Sequence, residues 1–508
     1  MMSGLPVKRC ISDVPDVAQQ GDVRSPLSLP RDLEASSYAI NPMQIIGERV
    51  VIAMVGLPAR GKSYTSKAIV NYFAFLGCPV QLFNAGNKRR TRGLAGAEAT
   101  FFDPSNRDAQ SQRDQLAMET LDDLLKWLDA APGGCACAIF DATNTTVARR
   151  RAVIERCARA EKLSSTPLRL LFVENICNDE AILRHSYRLK LSNGDYHGMD
   201  QERALSDFTS RVKEYEKVYE TITDEEARGF EAEFDTNGGK LRYVQTVDAG
   251  RKLIASGCSS YLMAHLVSLL HTIHLYPRKI SLLITGESEN DRDGIRGGDT
   301  KLSADGLLYS AAVCELVRSR GFVSEATPFV FSGTLQRYQQ VVELLCGGCI
   351  GDSGSDIVAD GGCSGGDRDH RWAQSTRVQL KALNELGFGS LEGLPGGKLR
   401  HSFPAEFDAR ARDPLRYRYP GAGGDSYLDV VRHCREFVLD LERIQTDVAV
   451  VCDVAVARVL LGYFEGCSIE KVPEIEVTPG MIELVRNHGG FSIEHHRVSV
   501  GKPSLLAA

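Results

Sequence analysis

The residues with the clearest chemistry form a glycine-rich segment that follows a short apolar run. Residues 56–63 read Gly-Leu-Pro-Ala-Arg-Gly-Lys-Ser and fit the pattern G-x-x-x-x-G-K-[ST], and residues 50–55 predict a buried strand before them. Glycines let backbone N–H groups converge on phosphate oxygens, and the start of the following helix adds positive potential. We therefore predict a nucleotide-phosphate loop, in which Lys62 reaches the β- and γ-phosphates and Ser63 ligates Mg²⁺.

A chance glycine-rich turn is the competing interpretation of this loop, and the flanking strand and helix argue against it. The residues expected to bind ATP are Gly56, Leu57, Pro58, Ala59, Arg60, Gly61, Lys62, Ser63 and Tyr64.

A carboxylate that could share the metal ion ends another apolar run, at residues 138–140. Asp141 has the position of a Walker-B acid, although many strands end in Asp as a helix cap, so its meaning comes from the neighbouring loop. The basic runs 88–90 and 149–151 also follow predicted strands, at the edge where open α/β sheets bind ligands. Arginine binds phosphate through two hydrogen bonds, so these runs are candidates for a sugar phosphate; solvated helix faces are the alternative.

These residues need a sheet that brings strand ends together, and the pattern along the chain supplies one. A helix is predicted over residues 62–76, and further strands are predicted over residues 80–83, 137–140 and 168–173. Strands that alternate with helices indicate an α/β fold with a parallel sheet covered on both faces.

A second α/β pattern follows. An amphipathic helix is predicted around residues 256–277, and a strand over residues 280–284 restarts the alternation, which continues to about residue 460. We place a domain boundary near Pro277. Residues 1–45 are rich in Ser, Pro and Asp and are interpreted as a mobile tail.

Composition limits the function classes. A chain of 508 residues is too long for one core and indicates two or three domains. The net charge of -6 implies no general attraction to nucleic acid or anionic membranes. The apolar stretch 261–276 is too short to span a bilayer, and the start of the chain lacks a secretory apolar segment. We expect a cytoplasmic protein with reduced cysteines.

Residues 346–372 form a Gly/Ser/Asp-rich stretch that we interpret as a surface insertion without regular elements. Cys346, Cys349, Cys363 and His370 could be read as zinc ligands, but their spacing fits no strong signature. A flexible insertion with incidental cysteines is favoured.

Two segments make the pattern specific: residues 55–64 and the run Phe-Asp-Ala-Thr-Asn-Thr-Thr at residues 140–146. Together they resemble the 6-phosphofructo-2-kinase/fructose-2,6-bisphosphatase family, and the similarity covers about residues 46–470. That family joins a P-loop kinase domain to a histidine-phosphatase domain of the phosphoglycerate mutase type. The similarity continues through residues 83–86, Lys190-Leu191, Asp195-Tyr196, Arg211 and Tyr215.

The resemblance implies roles by position. Lys62, Asp141 and Lys190 would be catalytic, and Ser63 and Asp141 would hold Mg²⁺. The fructose 6-phosphate pocket would consist of Arg89, Arg113, Thr143, Arg149, Arg211 and Tyr215. Lys88 and Asn193-Gly194 depart from the family pattern without removing any of these charges.

The phosphatase-like half departs at its chemistry. The family's Arg-His-Gly-Glu-Ser motif reads Ile284-Thr285-Gly286-Glu287-Ser288, so Thr285 replaces the nucleophile. Asp453 stands where the family has a second histidine. Arg337 and Glu385 match a phosphate-binding arginine and the acid that protonates the leaving oxygen. The resemblance therefore implies a retained fold with a degenerate phosphatase site.

We expect a tail at residues 1–45, a kinase domain at 46–277 and an inactive histidine-phosphatase-like domain at 278–508. The expected activity is synthesis of fructose 2,6-bisphosphate from fructose 6-phosphate and ATP. Two alternatives stay open: a bifunctional kinase/phosphatase, and a non-catalytic protein that senses sugar phosphate. By family analogy alone, we expect a homodimer.

Overall fold

The structure is a computed structural model that describes residues 38–504, apart from residues 40, 42, 44–45, 93–98, 165, 192–195, 197–198, 234–240, 352–353, 355, 360–369 and 488–489. Most of the predicted tail, Asn193-Gly194, Asp195 and Cys363 therefore lie outside the described residues.

The first sheet is parallel except at one edge, and its strand order is β2-β3-β1-β4-β5-β6. Its strands are β1 (Glu48–Val55), β2 (Val80–Asn84), β3 (Cys135–Asp141), β4 (Leu168–Ile176), β5 (Tyr243–Val247) and β6 (Lys252–Ser256). The predicted parallel sheet is confirmed. Antiparallel β6 was not predicted, because it is short, largely exposed and lacks a buried apolar run.

In the described part of the chain, eight helices accompany this sheet, and with it they form the N-terminal module. They are α1 (Lys62–Phe75), α2 (Ala85–Thr91), α3 (Arg107–Ala130), α4 (Val147–Leu163), α5 (Glu180–Lys190), α6 (Gln201–Glu216), α7 (Asp224–Glu233) and α8 (Tyr261–Leu270), with a 3-10 turn at Ala99–Phe102. Each of α2, α3, α4, α5, α6 and α8 begins behind a side chain that accepts a backbone N–H, as helix N-caps do.

The helix predicted around residues 256–277 is wrong at both ends. Ser256 ends strand β6, and α8 begins only after its N-cap Ser260. The helix stops at Leu270 because the chain must cross to the second sheet, and there His274 bonds the carbonyl of Ile444 through Nε2 at 2.9 Å.

The second sheet has the order β11-β8-β12-β7-β13-β14, parallel over its first four strands and antiparallel over the last two. With its helices it forms the C-terminal module. Its elements are β7 (Lys279–Ile284), α9 (Glu289–Arg292), α10 (Ala304–Ser319), β8 (Phe329–Ser332), α11 (Gln336–Leu345), β9 (Gly348–Ile350), β10 (Ile357–Ala359), β11 (Thr376–Gln379), α12 (Gly396–Ser402), α13 (Pro404–Arg412), α14 (Tyr427–Arg443), β12 (Val448–Cys452), α15 (Val454–Glu465), β13 (Gly480–Asn487) and β14 (Gly490–Arg497), with 3-10 turns at His370–Trp372, Lys381–Leu383, Gly389–Leu391 and Ile469–Glu474.

Two hairpins differ from the sequence expectation. Strands β9 and β10 pair inside the segment 346–372, so the expectation of no regular element there is wrong. The pairing rests on backbone hydrogen bonds, which a Gly/Ser-rich composition does not reveal. Strands β13 and β14 extend the second sheet beyond residue 460, where the α/β pattern was expected to end.

The two modules share one apolar core. Helix α1 lies against helices α8 and α15, and a continuous cluster of buried side chains joins them. At its centre the rings of Phe75 and Tyr463 meet edge to face, with centroids 5.5 Å apart. The helix that follows the glycine-rich loop is therefore fixed by packing from both halves of the chain.

Phe75→Ala should destabilise the whole protein by about 3–5 kcal/mol, because it removes a buried ring from this shared core. Chemical denaturation followed by circular dichroism should show one transition at lower denaturant. Leu163→Ala is the control, since Leu163 is 90% exposed and should change stability by less than about 0.5 kcal/mol. Two separate transitions, of which Phe75→Ala shifts only one, would contradict the shared core.

Candidate functional site

The glycine-rich loop joins β1 to α1 through backbone that only some residues tolerate. Gly56 and Gly61 have φ angles of 132° and 90°, and Ala59 has a φ of 57°. A Cβ atom on Gly56 would lie 2.6 Å from the carbonyl oxygen of Asn175 in β4, so no larger side chain fits there. The loop thus combines left-handed turns with a close approach to the neighbouring strand, as a phosphate-binding loop requires.

Lys62 opens α1 and turns back over the loop. Its Nζ donates to the carbonyl oxygens of Gly56 and Leu57 at 2.8 and 2.7 Å. The side chain is buried, and burial lowers the pKa of Lys62 to about 7, against the opposing influence of Asp141. Lys190 lowers this pKa further. The ammonium is therefore held in a dry site, where an anion would bind it more strongly than in water.

Asp141 ends β3 beside the loop, as predicted. Its Oδ2 accepts from Asn84 Nδ2 at 2.6 Å and from Ser63 Oγ at 3.5 Å. Asn84 faces Asp141 across the β2–β3 pair, so the register of the sheet sets the first of these contacts. A carboxylate and a hydroxyl at this edge are the oxygen ligands that Mg²⁺ prefers, and the side chains fit that ion.

One cavity of about 940 Å³ opens at this edge. Of the residues predicted for ATP, metal and sugar phosphate, Gly56 and Leu57 do not line the cavity. Those that line it are Pro58, Ala59, Arg60, Gly61, Lys62, Ser63, Tyr64, Arg89, Arg113, Asp141, Thr143, Arg149, Lys190, Arg211 and Tyr215.

The basic runs separate into cavity-facing and structural residues. Arg89, Arg90 and Arg149 line the cavity. Arg150 instead is fully buried, where it makes two hydrogen bonds of 2.7 Å to Glu226 and bonds two backbone carbonyls. Lys88 pairs with Asp123 at 2.5 Å. Neither interpretation, a sugar-phosphate site or a solvated helix face, therefore applies to every residue of the runs 88–90 and 149–151.

Phe102 organises the arginines and was not found from the sequence. Its buried ring lies 5.7, 5.8 and 3.7 Å from the guanidinium carbons of Arg89, Arg113 and Arg211. Such cation–π contacts hold cations close together without neutralising them. A pair of phenylalanines between two basic segments was the available signal, and its meaning depended on the fold.

Burial also shapes the charge of this wall. It lowers the pKa of Arg149 to about 10 and lowers the pKa of Arg113. Arg149 forms an ion pair with Asp114 of α3, a partner that the sequence did not suggest. The wall is thus rich in arginine and poorly hydrated, which favours binding of a phosphate group.

The predicted degenerate site lies at the strand ends of the C-terminal module. Thr285 Oγ1 donates to Asp453 Oδ1 at 2.8 Å, and Tyr338 donates to the same carboxylate. Arg337 contacts Asp453 at 3.3 Å and pairs with Glu385. Thr285 and Asp453 are 0% exposed and Arg337 is 1% exposed. Arg337 therefore contacts two acidic side chains in a closed cluster.

Two family models match separate parts of this chain. A family model described as 6-phosphofructo-2-kinase matches residues 40–277, and one described as histidine phosphatase superfamily (branch 1) matches residues 372–498. The second match begins after β7, so it does not include Thr285 or Arg337.

Several curated proteins are similar over most of this chain. The 6-phosphofructo-2-kinase 1 of Saccharomyces cerevisiae is 34% identical over 436 residues, which are 85% of this chain and 50% of that protein. A probable 6-phosphofructo-2-kinase of Schizosaccharomyces pombe is 31% identical, covering 87% of this chain and 68% of that protein. The 6-phosphofructo-2-kinase/fructose-2,6-bisphosphatase of Caenorhabditis elegans is 34% identical, with 84% of each covered.

The chain thus spans about half the length of the budding-yeast relative. Within the described part of the chain, no helix has the length and hydropathy needed to cross a membrane.

The buried cluster predicts a pH dependence of stability. Burial and the neighbouring Asp453 raise the pKa of Glu385 well above its ordinary value, so the folded protein keeps a proton that the unfolded chain releases above about pH 4.3. The contribution of Glu385 to the free energy of unfolding should therefore fall as the pH rises from about 4.3 toward the raised pKa. Glu385→Gln cannot lose a proton, so its melting temperature should decline less between pH 5 and 8. Glu315→Gln, at a 65% exposed side chain, is the control; equal slopes in all three proteins would refute the raised pKa.

Proposed function

The chain belongs to the 6-phosphofructo-2-kinase/fructose-2,6-bisphosphatase family, and we propose that it transfers the γ-phosphoryl group of ATP to the 2-hydroxyl of fructose 6-phosphate. The product is fructose 2,6-bisphosphate, a regulator of glycolysis. The observation that carries the proposal is a cavity in which the glycine-rich loop and Asp141 face a wall of arginines. The matching kinase model and the kinase names of the relatives support the same activity.

Within this proposal, the loop binds the ATP phosphates. Lys62 leaves its carbonyl partners for the β- and γ-phosphate oxygens, and Lys190 approaches the transferring group from the end of α5. Ser63 and Asp141 hold Mg²⁺, which supplies positive charge to the phosphate oxygens when bound. Phosphoryl transfer depends on positioning and charge neutralisation more than on a strong base, and these residues provide both.

The arginine wall binds the sugar substrate. Arg113 and Arg211, held around Phe102, and Arg149 at the start of α4 bind the 6-phosphate through charge-assisted hydrogen bonds. Arg89, Thr143 and Tyr215 complete the pocket. The sugar then presents its 2-hydroxyl to the γ-phosphorus. As the new O–P bond forms, the bond from phosphorus to the bridging oxygen breaks, ADP leaves with the bonding electron pair, and the hydroxyl proton passes to solvent.

The C-terminal module does not hydrolyse fructose 2,6-bisphosphate in this proposal. Thr285 offers a hydroxyl that is already donated to Asp453, and Arg337 is held by contacts to Asp453 and Glu385. A phosphate dianion entering this pocket would meet Asp453 and displace these buried contacts. The bifunctional alternative keeps the support of relatives whose names include the bisphosphatase, whereas the closed cluster favours a kinase.

A sensing protein without catalysis remains the other alternative, and the paired Ser63 and Asp141 favour an enzyme over it. The boundary near residue 277, the cytoplasmic location and the homodimer stay predictions.

Lys62→Ala should abolish the kinase reaction while the protein stays folded. The change removes an ammonium that stabilises charge on the transferring group, and such losses reduce rates by about a hundredfold or more. Transfer of labelled phosphate from γ-labelled ATP to fructose 6-phosphate measures this, and the circular dichroism spectrum checks the fold. A fully active Lys62→Ala protein would overturn the assignment of the loop.

Arg113→Ala and Arg211→Ala should raise the KM for fructose 6-phosphate at least about tenfold and change the KM for ATP much less, because each removes a charge-assisted contact to the sugar phosphate. Steady-state kinetics with each substrate varied in turn gives both constants. Arg159→Ala is the control, since its side chain is 69% exposed on α4. Equal weakening of both substrates would show that these arginines do not define a sugar site.

A further inference from the structure

We propose that the C-terminal module is part of the nucleotide site, because Arg486 of β13 positions Tyr64 in the first turn of α1. Arg486 Nη2 donates to the Tyr64 hydroxyl, and its guanidinium carbon lies 5.9 Å from the centre of the Tyr64 ring. Tyr64 directly follows Lys62 and Ser63 and lines the cavity. Arg486 is thus a positioning residue that acts through Tyr64 on the phosphate-binding loop; its kinetic assay rests on the proposed kinase function.

A buried cluster from the C-terminal module fixes Arg486. Arg486 is 8% exposed as a whole residue, and its Nη2 lies 3.4 Å from Glu442 Oε2 in α14. The other oxygen of Glu442 accepts from the Tyr463 hydroxyl at 2.9 Å. The ring of Phe491 lies 5.3 Å from the guanidinium carbon of Arg486. Residues of α14, α15 and β14 therefore surround the arginine that β13 extends toward the N-terminal module.

His274, in the crossing between the sheets, orients the same guanidinium. Burial is the main cause that lowers the pKa of His274, to about 3, so the ring is neutral. Because Nε2–H donates to the carbonyl of Ile444 at 2.9 Å, Nδ1 is left as an acceptor. Arg486 Nη1 lies 3.3 Å from that nitrogen and 3.2 Å from Nε2, so the guanidinium packs against the neutral ring, and the Tyr276 N–H lies 3.2 Å from Nδ1.

The charges of this cluster do not balance, because two arginines face one carboxylate. This imbalance favours a positioning role for Arg486 over a role that only stabilises the interface. Two buried arginines, Arg278 and Arg486, share the single carboxylate of Glu442. Burying a second arginine here costs desolvation that one carboxylate does not fully offset. Arg278 alone would neutralise Glu442, so Arg486 is the cation whose added contact goes to Tyr64.

Arg486→Gln should raise the KM for ATP about tenfold and leave the KM for fructose 6-phosphate within about twofold, as expected when one hydrogen bond to a charged group is lost. Tyr64→Phe, which removes only the hydroxyl, should have the same selective effect. The double variant should be no worse than either single variant, because both remove one contact. Arg486→Lys should recover part of the ATP affinity.

Arg320→Gln is the matched control. Arg320 also forms an ion pair with a residue of β13, Glu483, at 2.9 Å, but the contact stays within the C-terminal module. Its substitution should leave both Michaelis constants unchanged.

Binding of MgATP, measured by calorimetry without sugar, separates this proposal from the proposed reaction. A selective loss of MgATP affinity in Arg486→Gln supports the positioning role even if no sugar is phosphorylated. Additive effects of the two substitutions, equal losses for both substrates, or a lower melting temperature with unchanged MgATP affinity would each overturn it. If Arg486→Gln does not fold, the Tyr64→Phe variant alone tests the positioning role. Unchanged MgATP affinity in that variant then rejects the proposal.

Discussion

A buried ammonium at the turn from β1 to α1 is the interaction on which the N-terminal site depends. Lys62 bonds the carbonyls of Gly56 and Leu57, so the loop closes over its own cation. Burial lowers the pKa of this lysine to about 7, and an anion bound beside it would favour the charged form. The parallel sheet places Asp141 at the same edge, because β3 ends there. Helix α1 carries Ser63 and Tyr64 directly after the lysine.

The same physical rule explains why the two modules differ. Both place polar groups at the carboxyl ends of parallel strands, where α/β folds bind ligands. In the N-terminal module the arginines gather around Phe102, a neutral ring, and line an open cavity. In the C-terminal module Arg337 contacts Asp453 and Glu385, and the side chains of Arg337 and Asp453 are almost fully buried. The two modules thus differ in how their arginines are placed: in the N-terminal module they line a cavity, and in the C-terminal module Arg337 is buried against two acidic side chains.

Short-range patterns in the sequence were enough to predict the loop, the acid that ends β3 and the alternation of strands and helices. They succeeded because a phosphate-binding loop needs glycine and lysine at fixed spacing, and because buried parallel strands are apolar throughout. Contacts between distant segments were not predictable in this way. Phe102, Asp114 and the pair Arg486–Tyr64 depend on how the chain folds back, with 422 residues separating the last two. The hairpin β9–β10 and the edge strand β6 lacked an apolar signal of their own.

We propose that the N-terminal module is an active kinase and that the C-terminal module is an inactive phosphatase. Phosphorus NMR tests both statements in one sample. Fructose 6-phosphate and a limiting amount of MgATP are incubated with the purified protein, and the spectrum is followed beyond the exhaustion of ATP. The expected result is a sugar with phosphate on carbons 2 and 6 that accumulates and then persists. Phosphorylation at another carbon would contradict the kinase assignment. Formation of the 2,6-bisphosphate followed by its conversion to fructose 6-phosphate and inorganic phosphate would show that the C-terminal module is a working phosphatase.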